Sequence, residues 1–315
     1  MPPIVIPNTG HLDADESLFF ARQLEHILAR LFEQRYPALK GRLMFPVNNE
    51  AGPGVDYITW REISHTGVAA LIANYTTALP RVDAFSKENT VKVRHIGDAF
   101  GFTIFDIQKA AKAGVPLDAI KAMAARKAAE QKVDALAYFG DADTGLVGVF
   151  SHPNIPVISA AATGNENGGT NATQWSKKTP DQIIADVATL WNSIRTTTKE
   201  SEAPNTLALP TDQYSYLATT PRSANTDTTI LAFLKENLEG CQAIISTGRC
   251  TGAVNGHDVA LAYDRSPETA ELHIPEEFKQ LPPELKGLEW IVNCYLAFAG
   301  LVVYRPMAFA IMEGI

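Results

Sequence analysis

Between Asp118 and Gly140 the chain has no glycine or proline and is filled with Ala, Lys, Glu and Met, which are strong helix formers. Asp118, just after Pro116, is a good N-cap, and Gly140 is a good stop. The pattern predicts one long helix, which needs a surface to lie on. Ala124, Ala128 and Ala135 give it a small face that another element can approach closely. Its other face carries Lys121, Arg126, Lys127 and Lys132 against Glu130 and Asp134. A shorter helix is predicted over 103–113, ending at Gly114. Composition alone gives a helix packed on a sheet; the order of the elements around it says more.

The 315 residues allow one large domain or two, with ample core. Hydrophobic residues make up 46% and charged residues 20%, an ordinary globular composition. A net charge of −8 argues against a general nucleic-acid binder, which needs a basic face to displace counterions. Cys241, Cys250 and Cys294 have no CxxC spacing and fit buried thiols in a reducing compartment better than a disulfide framework. The opening MPPIVIPNTG has no basic n-region and is broken by prolines, so it does not read as a signal peptide. The most apolar run, Trp290 to Tyr304, is shorter than the roughly 20 residues a bilayer span needs. Buried strands explain it better.

In chain order, residues 1–14 read as an extended arm. Residues 15–36 form an amphipathic pattern, with Phe20, Leu24, Ile27, Leu28 and Leu31 at helical spacing. Residues 41–99 carry aromatic and β-branched residues between turn signals and predict a long hairpin with little core of its own. Within it, residues 55–75 are expected as strand, turn, strand, and 76–90 as a polar interval. Beyond the long helix come a glycine-punctuated turn, a flexible polar loop at 164–175 and a helix opening at Thr179-Pro180-Asp181. Short strands and helices then alternate. A charged, proline-rich loop is expected to run to Pro283, and the terminal apolar segment is expected to form two or three strands around Gly300 and Pro306. The fold class is therefore α+β.

No catalytic or cofactor motif rises above background. There is no GxxxxGK[ST], no GxGxxG after a strand and no GxSxG. The histidines lack HxxxH or HExxH spacing, so no metal site is expected. DADTG at 141–145 begins like a calcium loop, but its glycine comes one place early and His152 stands where a bidentate Glu is needed. Cys250 with His257 is a conceivable nucleophile pair, weighed against the commoner fate of a lone cysteine in a core.

The order of features, and the residues that carry it, resemble the major capsid proteins of tailed phages with the Hong Kong 97-like fold. The matching stretches are LPRVD (79–83), VRHIGDAFGFTIFDIQKAAKAG (93–114), LDAIKAMAARKAAEQKVDALAYFGD (117–141), GLVGVFSHPNI (145–155) and GLVVYRPMAFAIMEGI (300–315). The stretches stand in the family's order, and the similarity as a whole covers most of the chain; over 156–285 only the architecture matches. The resemblance implies an N-terminal arm and helix (1–41), an extended E-loop (42–97), and a P-domain with its spine helix (98–155). An A-domain (156–285) and C-terminal strands returning to the P-domain (286–315) complete it. It further implies self-assembly into hexamers and pentamers of an icosahedral shell, in the virion, built in the bacterial host cytoplasm. That shell encloses double-stranded DNA without sequence-specific binding. It implies no catalysis, no cofactor and no membrane.

The expected intersubunit residues are Trp60, Arg61, His65, Arg81, Asp83 and Lys87 of the hairpin and Lys121 and Arg126 of the long helix. Some variants of the family link subunits through an E-loop lysine, and Lys87 stands in a suitable place. A portal and a separate scaffolding or decoration protein are the further partners expected. Two other functions compete. One is an encapsulin-like compartment shell, which shares the fold but holds an enzyme cargo. The other is a cytosolic α/β enzyme using Cys250 or a carboxylate pair that the sequence does not single out.

Overall fold

The computed structural model describes residues 38–67, 81–113, 117–223 and 225–315. The expected helix at 15–36 lies outside these residues, as does most of the segment joining the hairpin strands.

In chain order the elements are α1 (Gly41–Met44), β1 (Val47–Asn48), β2 (Tyr57–Thr66), β3 (Asp83–Lys92), β4 (Arg94–Thr103), α2 (Ile104–Ala113) and α3 (Leu117–Phe139). They continue with β5 (Gly140–Asp141), β6 (Leu146–Val147), β7 (Val157–Ser159), α4 (Pro180–Thr198), β8 (Thr206–Leu209), α5 (Thr211–Thr219), α6 (Ile230–Asn237) and β9 (Ala243–Ser246). The last are β10 (Val259–Tyr263), β11 (Ala270–His273), β12 (Glu276–Gln280), β13 (Glu284–Lys286), β14 (Glu289–Phe298), β15 (Gly300–Val303) and β16 (Phe309–Glu313).

The largest sheet has the order β7-β16-β10-β8-β9. Its middle strand β10 is buried at every position, so both its faces need cover. Val259, Leu261 and Tyr263 point into one core with Val133, Leu136 and Tyr138 of α3. Ala260 and Ala262 point into a second core with Ile183, Val187, Leu190 and Trp191 of α4. The sheet is thus sandwiched between two helices, α3 and α4, that are separated in sequence by short strands and a long loop.

A second sheet is built on β14. It pairs along its full length with β4, from Glu289 opposite Thr103 to Phe298 opposite Arg94. On its other side it pairs with β13 and then β12. The N-terminal half of α3 lies on this sheet, where Ala125 packs with Phe102, Val292 and Cys294. A third, three-stranded sheet is ordered β1-β11-β15.

The long helix runs over Leu117–Phe139 as its composition predicts, and Gly140 ends it with a φ of 67°. Glycine is required there twice over. The left-handed backbone disfavours a side chain, and a Cβ would collide with the Leu146 carbonyl of β6. The contact face differs from the expected one. Ala125, Ala129, Val133, Leu136 and Ala137 are buried, whereas Ala124 and Ala128 are exposed. The buried stripe is set by where the larger Val133 and Leu136 fall, and the alanines one turn back follow their phase.

Asp134 is the other departure on this helix. Expected on a solvated face, it is 3% exposed and accepts three hydrogen bonds. Its Oδ1 takes the backbone N–H groups of Lys40 (3.0 Å) and Gly41 (2.8 Å), and its Oδ2 takes the Arg249 Nε–H (2.8 Å). One turn earlier, Glu130 pairs with Arg42, which also reaches Glu277 of β12. The carboxylates of α3 therefore fasten α1, the sheet on β14 and the turn after β9 to a single helix.

Three loop expectations need correction. Residues 83–90, expected as a polar interval, are strand β3, because cross-strand pairing with β2 outweighs their polarity. The stretch before Pro283, expected as loop, contains β11 and β12. The segment 164–175, expected to be flexible, is closed by a Gly164–Ala172 bridge and anchored by fully buried Trp175. Trp175 Nε1–H, the Lys178 ammonium and the Ala161 N–H all bond Asp186 of α4. Lys178 and Asp186 form a buried ion pair that its hydrogen bonds complete. The terminal segment gives three strands as expected, but they separate. β14 lies in the sheet under α3, and β16 lies between β7 and β10 in the five-stranded sheet.

Two consequences are measurable. Asp134→Ala leaves two backbone N–H groups and the Arg249 guanidinium without their shared acceptor. The expected loss is about 3 kcal/mol of subunit stability, because removing one partner of a buried pair strands the other; urea unfolding at neutral pH reads it.

The second concerns His273, which is 5% exposed. Burial holds its pKa below the ordinary 6.5, against the opposing pull of the Glu271 and Glu50 carboxylates. The unfolded chain therefore binds a proton near pH 6.5 that the folded chain resists. This contribution to stability is complete above that pH and is lost as pH falls below it. His152, also desolvated, acts in the same direction. Between pH 6.5 and about 5, above the range where carboxylates titrate, stability should fall with acid, and His273→Gln should flatten the slope.

Candidate functional site

The β2–β3 hairpin is a two-stranded antiparallel ribbon with ten facing pairs, from Tyr57 opposite Lys92 to Thr66 opposite Asp83. Facing residues share a side of the ribbon, so its two faces can be read from the register. One face carries Ile58 and Val91, then Trp60 opposite Asn89, Glu62 opposite Lys87, and Ser64 opposite Phe85. The other carries Tyr57 with Lys92 over its ring, Thr59 bonded to Thr90, Arg61 paired with Glu88, Ile63 and His65.

Only the root of the ribbon has a core. Val55, Ile58, Val91 and Val93 pack against Ala297 and Ala299, and the Val93 N–H donates to the Asp56 carbonyl at 2.8 Å. Among the described residues, Trp60 is the outermost of the ribbon to touch the body. Its ring stands edge-on to Tyr304 at 5.7 Å and 82°. Beyond it every described residue of β2 is exposed, including Ile63 at 65%, with Phe85 of β3 at 59%. Two large apolar side chains are thus held out in solvent on a ribbon that folds without them.

Tyr304 is itself fixed from below. Its hydroxyl donates to Glu271 Oε2 (3.0 Å) and lies 2.8 Å from His273 Nε2. Glu271 also accepts from Asn48 Nδ2 at 2.9 Å. With its proton on Glu271, the tyrosine oxygen accepts from the imidazole, which places the neutral histidine's proton on Nε2. These four residues come from β1, β11 and the end of β15, and no pattern in the sequence ties them to the hairpin.

The eight expected intersubunit residues fall into three groups. Arg61, His65, Asp83 and Lys87 lie on the exposed ribbon, with Arg81 exposed just before β3. Trp60 is turned onto Tyr304 and is not an outward contact. Lys121 is turned inward, its ammonium on the Gly101 carbonyl and 4.7 Å over the Phe102 ring, while Arg126 is exposed on the opposite flank of α3 near Glu277. The basic residues of α3 do not form one stripe. A second exposed apolar group, not anticipated from the sequence, lies where α2 meets the β13–β14 turn. It comprises Phe105 (60% exposed), Leu285 (57%) and Leu288 (64%), joined by the Ile104 N–H to Leu288 carbonyl bond.

Cys250 does not meet the needs of a nucleophile. It is fully buried among Tyr138, Val259 and other apolar side chains, burial pushes its thiol well above the ordinary value, and His257 is exposed. A groove of about 410 Å³ beside β9, lined by Tyr214, Leu231, Lys235 and Ile244 among others, holds no histidine, cysteine or carboxylate. The 141–145 segment is the turn joining β5 and β6, closed by the Thr144 hydroxyl on Asp141.

The architecture matches solved phage structures over nearly its whole length. The capsid of Myoviridae phage XM1 shares 19% identity over 94% of this chain and 98% of that one, with a TM-score of 0.80. A structure from Gordonia phage Cozz shares 13% over 99% and 98%, with a TM-score of 0.65. The virus-like particle from Pyrococcus furiosus shares 12% over 86% and 91%, with a TM-score of 0.50. No curated protein matches by sequence. The fold is the Hong Kong 97-like capsid fold. The family model described as "Major capsid protein" matches residues 67–315, and the chain therefore belongs to the major capsid protein family, whose members are structural shell proteins rather than enzymes.

Proposed function

We propose that this major capsid protein closes into an icosahedral shell of hexamers and pentamers around a double-stranded DNA genome. Assembly takes place in the bacterial host cytoplasm, and a portal and a separate scaffolding or decoration protein complete the virion. The observation that carries the intersubunit reading is the hairpin. A two-stranded ribbon is marginal in water by itself, and this one holds Ile63 and Phe85 in solvent beyond its last body contact. A neighbouring copy supplies the missing cover. The ribbon is then the E-loop, and Arg61, His65, Arg81, Asp83 and Lys87 are its contact residues.

The same reading makes α3 the spine of the P-domain, with Arg126 on an outer flank. It assigns the sheet on β14, including β12 and β13, to that domain, because those strands pair with β14. The five-stranded sheet with α4, α5 and α6 is the A-domain. Identical copies meeting through such unlike surfaces form closed rings. The charge of −8 suits a container that should not grip its DNA.

Electron microscopy of the purified protein tests this. Closed regular particles with nucleic acid inside are expected from infected cells; particles packed with a protein cargo would favour an encapsulin-like compartment, and a stable monomer under all assembly conditions would overturn the reading. Arg61→Glu separates folding from assembly. Its ion pair with Glu88 is largely exposed, so subunit stability should change by less than about 1 kcal/mol. Particle yield should fall sharply; normal yield would remove Arg61 from the interface.

A further inference from the structure

We propose that Tyr304 is the positioning residue of the hairpin: through Trp60 it sets the angle at which the ribbon leaves the body of the subunit. Three observations converge on it. The root cluster, in which Val55, Ile58, Val91 and Val93 pack on Ala297 and Ala299, lies at the very base of the ribbon, so it holds the base and leaves the span beyond Ile58 to another contact. Among the described residues, the Trp60–Tyr304 contact is the ribbon's outermost contact with the body, and the Trp60 Nε1–H is buried without a partner, so the indole is committed to the body and not to solvent. Tyr304 in turn is the best-tethered aromatic near the ribbon, with Glu271 and His273 on its hydroxyl and Asn48 holding Glu271.

The geometry is that of a lever. At about 3.3 Å per residue, Trp60 sits roughly 10 Å along β2 and Thr66 roughly 30 Å along it. A displacement at Trp60 is multiplied about threefold at the far end. An ångström of play at Tyr304 would then move Ile63 and Phe85 by more than the tolerance of a packed apolar contact. Tyrosine suits the position, since its ring meets the indole edge-on while its hydroxyl fixes the ring's own attitude. The polar network below Trp60 therefore works on the ribbon's aim and not on its strand pairing.

The test measures that angle directly. Spin labels at His65→Cys and Asn192→Cys, both exposed positions, report the ribbon-to-body distance in the unassembled full-length subunit, in a Cys241→Ser background. The native tyrosine should give a narrow distribution. Trp60→Ala and Tyr304→Ala should broaden it at least twofold, and Tyr304→Phe, which keeps the ring but loses both hydroxyl partners, should broaden it less. Thermal melting identifies any variant that has lost its fold; Trp60→Ala and Tyr304→Phe keep the test decisive if Tyr304→Ala does not fold. An unchanged distribution in folded Trp60→Ala and Tyr304→Phe would overturn the proposal. The effect on assembly, a wider spread of particle sizes in folded variants, rests on the reading of the hairpin as an intersubunit loop. Broadened distances with normal particles would count against that reading and not against the role of Tyr304.

Discussion

The Asp134 carboxylate is where the subunit is tied together. It sits on α3, faces inward, and holds the start of α1 through two backbone N–H groups and the turn after β9 through Arg249. Burying a carboxylate is expensive unless its oxygens are fully used, and here three donors use them. Just before that turn, Ser246 at the end of β9 takes the Lys40 ammonium on its carbonyl and hydroxyl. Two polar crossings thus bind a segment at residues 40–42 to residues 246–249. Hydrophobic contact could bring these pieces together, but it has no direction. The hydrogen bonds fix how α1 meets the helix, and with it the course of the chain into β1 and the hairpin.

From that point the fold divides its labour. Around β10, apolar residues on both faces give two cores back to back, and α3 and α4 each close one of them. Around β14, the sheet has α3 over Phe102 and Val292, while Leu285 and Leu288 close by remain open. The hairpin has almost no core at all. Burial therefore falls from the five-stranded sheet outward to the ribbon, so the outer elements draw stability from their surroundings. In a protein that builds a shell, those surroundings include other copies.

The helices were legible because their information is local. Gly140 and the glycine-free run before it are sufficient for α3, although the helix begins at Leu117 and so already includes Asp118, expected as its cap; Thr179-Pro180-Asp181 is sufficient for the start of α4, where Gln182 adds a capping box. The hairpin was legible as a region but not in its pairing. Residues 83–90 look polar because both faces of a projecting ribbon are wet, so the usual apolar alternation of a strand is missing. Asp134 misled for a related reason, and the buried Lys178 gave no signal at all. Charged residues on helices and in loops are usually solvated, and only the fold could bring Arg249 to the first and Asp186 to the second. The Asn48–Glu271–Tyr304–His273 network unites chain segments more than two hundred residues apart, which no spacing rule reaches. The capsid fold itself was recognisable from several weak motifs in the right order.

A chain that must associate with itself in one manner has to refuse the others. The outer edge of β4 shows how this is done. β4 pairs with β14 along its whole length and with no other strand among the described residues. An open edge of ten residues invites pairing with any extended chain. Asp98 folds back so that its Oδ1 takes the Ala99 N–H at 2.7 Å, and the Lys121 ammonium covers the Gly101 carbonyl. Each device occupies a backbone group that a stray strand would need. Lys121 is therefore committed to its own sheet edge, the reverse of the outward contact its charge suggests. Ile63 and Phe85 have no such cover. The subunit closes its sheet edge with polar side chains and leaves apolar ones open on the ribbon, so the surface it offers to an apolar partner is the ribbon and not the edge.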